Sequence, residues 1–98
     1  MIDEEKLGFG FSIFVSVRLD KQVDERLVTF EESVARYQEV VDCWLMTGGF
    51  DYLLRIAVSD LHEFERFLTQ KLTKIEGVAS IESSIPLRRV KESVARLM

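Results

Sequence analysis

The clearest pattern in the sequence is a strict alternation of apolar and polar residues from Phe11 to Leu19. A period of two predicts a strand with one buried face. Three further apolar runs, at residues 40–46, 51–58 and 78–87, predict three more strands. Only four residues, Thr47 to Phe50, separate the second strand from the third, so we expect a hairpin-type turn there.

Two segments between the strands show helical periodicity instead. The first is predicted to start with Asp24 as its cap and to run to about residue 38. The second is predicted to start at Ser59 or Asp60, where Asp60 and Glu63 resemble a capping box, and to end at Gly77 as a C-cap glycine. The apolar positions are Leu27, Phe30, Val34 and Tyr37 in the first helix and Leu61, Phe64, Leu68, Leu72 and Ile75 in the second.

This order, β-α-β-β-α-β, predicts an α+β, ferredoxin-like fold. Right-handed crossovers place both helices on one face of a four-stranded antiparallel sheet. Residues 88–98 predict a short C-terminal helix, and Pro86 implies an edge or exit position for the last strand. The helix-free face should carry apolar side chains and pack on another subunit. The alternative is that the C-terminal helix covers it. The predicted interface residues are Phe14, Trp44, Met46 and Leu53.

Composition narrows the class of protein. The 98 residues predict one domain, 1–98, and a hydrophobic fraction of 47% with a single proline predicts a folded chain. A net charge of −4 argues against nucleic-acid binding by this segment alone. The single Cys43 excludes an intramolecular disulfide. No apolar run is long enough to span a membrane and no signal peptide is recognisable, so we expect a cytoplasmic protein.

The sequence offers little catalytic chemistry. His62 is the only histidine, and no set of residues has metal-ligand or phosphate-loop spacing. We therefore expect no catalytic residues, no metal and no cofactor, and we interpret the chain as a non-enzyme. Ferredoxin-like folds do host small enzymes, so a monooxygenase-type enzyme remains an alternative.

One segment, Thr47-Gly48-Gly49-Phe50-Asp51-Tyr52, has the chemistry of a binding loop. The two glycines can take up positive φ and expose N–H donors to a carboxylate. Asp51 could accept hydrogen bonds from an ammonium group, so an amino acid would match the loop. The alternative is an ordinary hairpin in which Asp51 caps turn amides.

With this loop, the chain resembles the C-terminal effector-binding (RAM) domain of the Lrp/AsnC family of transcription regulators. The loop is similar to the family's T/S-G-x-x-D-Y-x-L run. Four other segments are similar to family motifs in the same order: Asp3-Glu4-Glu5-Lys6-Leu7-Gly8, Val40-Val41-Asp42-Cys43-Trp44, Ile75-Glu76-Gly77-Val78 and Ser83-Ser84. Glu76 stands where the family often has proline.

The resemblance implies a ligand-sensing and oligomerisation domain without the helix-turn-helix through which such regulators contact DNA. Residues 1–10 would be a remnant of the interdomain link, in a stand-alone module or a trimmed chain. Homodimers would form by sheet-on-sheet packing and assemble further into octamers or hexadecamers. An amino acid or related metabolite would bind between dimers. A purely structural adaptor is the other alternative. The implied ligand-binding residues are Gly48, Gly49, Asp51, Leu45, Thr47, Tyr52, Thr73, Ser84 and Ile85.

Overall fold

The computed structural model describes residues 11–91, which form a four-stranded antiparallel sheet and two helices. The strands lie in the order β2-β3-β1-β4, which confirms the predicted ferredoxin-like topology. A 3-10 turn, Leu72–Lys74, follows the second helix. The elements are β1 Phe11–Leu19, α1 Asp24–Ala35, β2 Val40–Leu45, β3 Tyr52–Val58, α2 Leu61–Gln70 and β4 Val78–Ser84.

The register of the sheet determines which side chains share a face. In the β1–β3 pair, Val17 lies opposite Tyr52 and Ile13 opposite Ile56. These positions are buried, as alternation along β1 predicts, and the helices contribute Phe30 and other side chains to the same core. The buried core consists of Ile13, Val15, Val17, Leu19, Phe30, Val34, Tyr52, Leu54, Ile56, Val58, Phe64, Phe67, Leu72 and Ile75.

Both helix starts deviate in detail from the prediction. The N-cap of α1 is Val23, whose side chain makes no cap hydrogen bond, and Asp24 lies in the first turn instead. Its carboxylate is still favourably placed near the positive end of the helix dipole. In α2 the capping box forms with a shift. Asp60 accepts from the N–H of Glu63 at 2.8 Å, but Glu63 accepts from the N–H and hydroxyl of Ser59 rather than from Asp60.

Both helices also end earlier than predicted. Helix α1 ends at Ala35, and Tyr37 still packs edge-on against Phe67 from the turn beyond it. Helix α2 ends at Gln70, so the prediction of Gly77 as its C-cap was wrong. Gly77 instead has a φ of +98° and accepts a hydrogen bond from the N–H of Asp20 at 2.7 Å. A side chain there would come within 2.9 Å of Arg26.

The ends of the chain are described only in part. Strand β4 is an edge strand that ends two residues before Pro86, which agrees with the exit position that this proline implied. Residues 88–91 are not helical, and the rest of the predicted C-terminal helix lies outside the described residues, as does the predicted link 1–10. Within residues 11–91, no helix is long and apolar enough to cross a membrane.

Candidate functional site

The candidate binding loop is the connection between β2 and β3. It is closed by a hydrogen bond from the N–H of Met46 to the carbonyl of Asp51 at 2.8 Å. The N–H of Asp51 donates to the carbonyl of Val17 at 2.9 Å, which attaches the end of the loop to β1. The loop is therefore a hairpin turn, as predicted, held against the centre of the sheet at one end.

Asp51 is buried and its carboxylate is used inside the chain. One oxygen accepts from the N–H of Leu19 at 2.7 Å, and the other accepts from the side-chain amide of Gln22, also at 2.7 Å. The alternative was that Asp51 caps turn amides, but the backbone amide that it accepts from belongs to Leu19 of β1 and not to the turn. Its predicted role with an ammonium group remains a prediction.

The two glycines have different roles in the loop. Gly48 has a φ of +110°, a conformation that side-chain-bearing residues rarely adopt, whereas Gly49 has an ordinary φ. A Cβ added to either residue would meet no atom within 4 Å. Among the described residues, the N–H groups of Gly48 and Gly49 form no hydrogen bonds. The tip of the loop thus presents open space and two unused donors.

Arg18 lies next to this tip. It sits near the end of β1, between the buried Val17 and Leu19, so its side chain points to the helix-free face. Its guanidinium donates to the carbonyl of Gly49 at 2.6 Å. An exposed cation is therefore held at the loop by a contact that the sequence analysis did not predict.

Tyr52 follows the loop directly but belongs to the core. Its ring is buried and stacks on Phe30 with centroids 4.5 Å apart. Its hydroxyl donates a hydrogen bond to the carboxylate of Glu31. Burial, followed by this bond to Glu31, raises the pKa of Tyr52 well above its usual value. Tyr52 thus fixes α1 to the sheet below the loop.

A cleft of about 420 Å³ opens beside Tyr52, between α1 and the edge strand β2. Cys43 lies in its wall, and partial burial of the thiol, followed by the charge of Glu31, raises its pKa to about 11. The rest of the residue is exposed to solvent. A thiol that stays protonated is a poor nucleophile. The lining residues are Glu31, Val34, Ala35, Val40, Val41, Asp42, Cys43 and Tyr52.

Within one chain, eight of the nine predicted ligand-binding residues form two groups, and Thr73 lies apart from both. Leu45, Thr47, Gly48, Gly49, Asp51 and Tyr52 lie in or beside the loop. Ser84 and Ile85 lie at the far end of β4, since Ser84 pairs with Phe14 while the loop reaches β1 at Val17. Phe14 and Val17 are three residues apart on β1, which is a distance of about 10 Å at roughly 3.4 Å per residue. Thr73 lies in the turn after α2 and donates its hydroxyl to the carbonyl of Thr69. One chain therefore does not bring the two groups together.

Three of the four predicted interface residues, Phe14, Trp44 and Leu53, share the helix-free face, and Met46 follows β2 at the start of the loop. Trp44 pairs with Leu53 across β2 and β3, and Phe14 lies opposite Arg55 on β1. Trp44 is 44% exposed and Leu53 is half-buried. The face is not purely apolar, because Arg55 forms an ion pair with Asp42 at 2.7 Å. Its role in an interface remains a prediction. Within residues 11–91, no group of three or more His, Cys, Asp or Glu side chains could hold a metal ion.

This fold and loop have counterparts among known proteins. The family model of the Lrp/AsnC ligand binding domain matches residues 12–95. The Bkd operon transcriptional regulator of Pseudomonas aeruginosa is 46% identical over 89 residues, which cover 91% of this chain and 58% of the relative. The DNA-binding transcriptional activator DecR of Escherichia coli is 29% identical over 93% of this chain and 60% of its own length.

Solved structures agree with these relatives. A transcriptional regulator from Neisseria meningitidis, in complex with L-Met, has a TM-score of 0.85 and 28% identity over 96% of this chain and 60% of its own. An AsnC family regulator from Agrobacterium tumefaciens has a TM-score of 0.81 and 31% identity over 96% of this chain and 61% of its own. The chain thus spans about 60% of the length of these relatives.

The class of protein is therefore an Lrp/AsnC-type ligand-binding domain, and the chain belongs to the Lrp/AsnC family. The relatives that define this class are transcription regulators. The family resemblance predicted from the loop and its neighbouring motifs is confirmed. What the sequence did not reveal is the contact of Arg18 and Gln22 with the loop. In the sequence, Arg18 and Gln22 are recognisable only as residues at and just after the end of β1. The register of the sheet is needed to show that this end of β1 lies beside the loop.

Proposed function

We propose that this chain is the ligand-sensing and oligomerisation domain of an Lrp/AsnC-type transcription regulator. It would bind an amino acid or a related small metabolite at a subunit interface. The observation that carries this proposal is the loop itself. Its base is anchored by the buried Asp51, while Gly48 and Gly49 offer open space and unused N–H donors. A rigid base with an open, polar tip is the arrangement that a small-molecule site needs.

The site should need more than one subunit. A pocket normally encloses most of a small ligand, whereas the tip of this loop is exposed in the single chain. The predicted residues at the end of β4, Ser84 and Ile85, are exposed as well and lie too far away to close the pocket. We infer that a second subunit brings an equivalent β4 surface, or another wall, to the loop. The complex of the Neisseria meningitidis regulator with L-Met supports an amino acid as the ligand class.

Sensing would follow from this shared pocket. A ligand that contacts two subunits stabilises the assembly that contains the pocket over assemblies that lack it. DNA would be contacted only through a helix-turn-helix domain of the longer regulator. The net charge of −4 in the present chain supports the assignment of DNA binding to another domain, because a DNA-binding surface needs clustered Lys and Arg.

The test is a thermal-shift screen of the twenty amino acids on the 98-residue chain and on Gly49→Leu. Gly49 has an ordinary φ and open space around it, so a leucine should fit the fold and still occupy the space where a ligand would lie. We expect at least one amino acid to raise the melting temperature of the wild type in a concentration-dependent way. Ligand at one hundred times its dissociation constant stabilises by about 2.7 kcal/mol.

Gln38→Leu is the matched control, because it adds the same side chain to another exposed connection. It should keep the ligand-induced shift, whereas Gly49→Leu should lose it without a change in the ligand-free melting temperature. If Gly49→Leu responds as the wild type does, the ligand does not bind at this loop. If no amino acid shifts the melting temperature of the wild type, the sensor proposal is wrong. The structural adaptor would then be the better account.

A further inference from the structure

Arg18 differs from the other basic residues of the sheet and its surroundings. Arg26 pairs with Asp20 and Glu76, and Arg55 pairs with Asp42. Arg18 has no carboxylate within ion-pair distance among residues 11–91, although acidic residues outnumber basic ones by 17 to 13 in the chain. Its one described contact is the 2.6 Å hydrogen bond to the carbonyl of Gly49. Arg18 is thus held in place by the loop, but no carboxylate of residues 11–91 forms an ion pair with it.

The opposite holds for the acidic residue of the same loop. Both oxygens of Asp51 accept hydrogen bonds at 2.7 Å, from the N–H of Leu19 and from the side-chain amide of Gln22. The residue is only 6% exposed. An ammonium group would have to enter this buried site and compete with both donors. The loop therefore offers a ready partner to an anion but not to a cation.

We propose that Arg18, together with the free N–H groups of Gly48 and Gly49, binds the carboxylate of the ligand, and that the ligand needs no amino group. The ligand class is then the small carboxylates that have an apolar side chain, which includes 2-oxo acids as well as amino acids. This inference rests on the proposed function, because it assigns chemistry to the same loop.

The chemistry of the two groups fits a carboxylate. A guanidinium has several N–H donors in a planar fork that matches the two oxygens of a carboxylate, and the bond to Gly49 uses only one of them. That bond also keeps the long side chain near the loop, so less conformational freedom is lost when a ligand binds. The amides of Gly48 and Gly49 can donate to the same anion, as successive backbone amides do in other anion sites.

The experiment compares matched ligands by calorimetry on the 98-residue chain. L-Methionine, L-leucine and L-valine are each tested beside their own 2-oxo acid and their own amide. The 2-oxo acid keeps the carboxylate and removes the ammonium group, whereas the amide does the reverse. For any skeleton that binds, we expect the amino acid and the 2-oxo acid to have dissociation constants within about threefold, and the amide to bind at least roughly tenfold more weakly, because it cannot form the charge-assisted bonds.

The variants are Arg18→Gln and, as control, Arg36→Gln. Arg36 is also exposed, and its side chain also donates a single hydrogen bond to a backbone carbonyl, that of Glu32, but it lies at the C-terminal end of α1, away from the loop. Arg18→Gln should raise the dissociation constant of the amino acids and of the 2-oxo acids by roughly tenfold or more. Arg18→Lys keeps the positive charge and should bind these ligands more tightly than Arg18→Gln but more weakly than the wild type. Arg36→Gln should bind as the wild type does, and circular dichroism checks that each variant is folded.

The outcomes separate this inference from the proposal on which it rests. If amino acids bind the wild type but Arg18→Gln binds them equally well, Arg18 is not the anion partner and the sensor function still stands. If the amides bind as tightly as the acids, the carboxylate is not recognised and the inference is wrong. If the 2-oxo acids fail where the amino acids bind, the ammonium group is required after all. If the chain binds none of the amino acids in the full screen, both proposals fail together.

Discussion

The two faces of the sheet follow the same alternating pattern but differ in what covers them. On the helix-covered face, Val15, Val17 and Leu54 are fully buried. On the helix-free face, Phe14 and Leu53 are only half-buried and Trp44 remains exposed. Apolar side chains occur on both faces, so composition does not explain the difference. Whether a strand residue is buried depends on a second layer, because a sheet alone cannot remove its side chains from water.

On the edge strand β2, the helices do not fully cover the side chains that point to the helix side of the sheet. Cys43 and Leu45 pair with Leu54 and Tyr52 and therefore point to the helix side. Both are nevertheless exposed, and Leu45 reaches 62%. The cleft between α1 and β2 opens at this place, so the helix layer ends before the sheet does. Four predictions test this comparison, ordered from the largest expected effect on the folded protein to the smallest.

The neighbouring residues Leu54 and Leu53 provide the most direct test. Leu54→Ala removes a fully buried side chain and should lower the free energy of unfolding by about 3 kcal/mol. Leu53→Ala removes the same atoms from the other face and should cost less than about 1 kcal/mol in the monomer. Urea denaturation at low protein concentration measures both. Equal losses would mean that the helix-free face is as well covered as the other.

Trp44→Glu tests whether another subunit covers the helix-free face. If Trp44 is buried in a dimer, the unpaired carboxylate should weaken association by about 2 kcal/mol, or roughly thirtyfold in the dissociation constant. The fold of the monomer should be unchanged, because Trp44 is 44% exposed within one chain. Light scattering as a function of concentration measures the effect.

Val28→Glu is the control for Trp44→Glu, because it places the same charge at an apolar residue of α1 that is 52% exposed, away from the helix-free face. A Trp44→Glu chain that remained as oligomeric as the wild type would place the interface elsewhere. A wild-type chain that is a monomer of 11.4 kDa at micromolar concentration would contradict the proposed sheet packing altogether.

Asp51→Asn tests the bonds that hold the loop to the covered side of the sheet. The amide keeps the shape of the side chain but can accept through one oxygen only, so one of the bonds to Leu19 and Gln22 should be lost. We expect the free energy of unfolding to fall by about 1.5 kcal/mol. Gln22→Ala, which removes the exposed donor and leaves the bond from the Leu19 N–H, should cost less. A fully stable Asp51→Asn chain would show that this carboxylate does not brace the loop.

The smallest effect on the fold should come from titrating Cys43, at the limit of the covered face. Burial and the charge of Glu31 raise its pKa from 9.0 to about 11, so the folded chain favours the protonated thiol. Any stability from this group is present below pH 9.0 and is lost as the pH rises through about 11. The rate of alkylation by iodoacetamide should therefore keep rising above pH 9.0, whereas that of the urea-unfolded chain should level off. A plateau near pH 9.0 in the folded chain would mean that the cleft does not shield the thiol.

Much of the fold was predictable because its signals are local. Alternation predicted β1 with the observed bounds, and the glycines between two apolar runs predicted the hairpin. The capping pair at Asp60 and Glu63 marked the start of α2. Helix ends were less predictable, because Leu72 and Ile75 continue the apolar stripe of α2 and are buried although the helix has already ended. The spacing of apolar residues indicates which side chains are buried. It does not show where an α-helix ends, because a 3-10 turn can also bury a side chain.

The chemistry of the loop was determined in a different way. The sequence by itself established which groups are near each other along the chain: two glycines, a carboxylate and a tyrosine. Only the tertiary structure decided their roles, by bringing Arg18, Leu19 and Gln22 to residues about thirty positions away. Asp51 is buried and accepts hydrogen bonds from Leu19 and Gln22, and Arg18 is an exposed cation bound to the carbonyl of Gly49. The physical reason is that a hydrogen bond depends on angstroms of separation and on register between strands, and neither is contained in the local pattern of one strand.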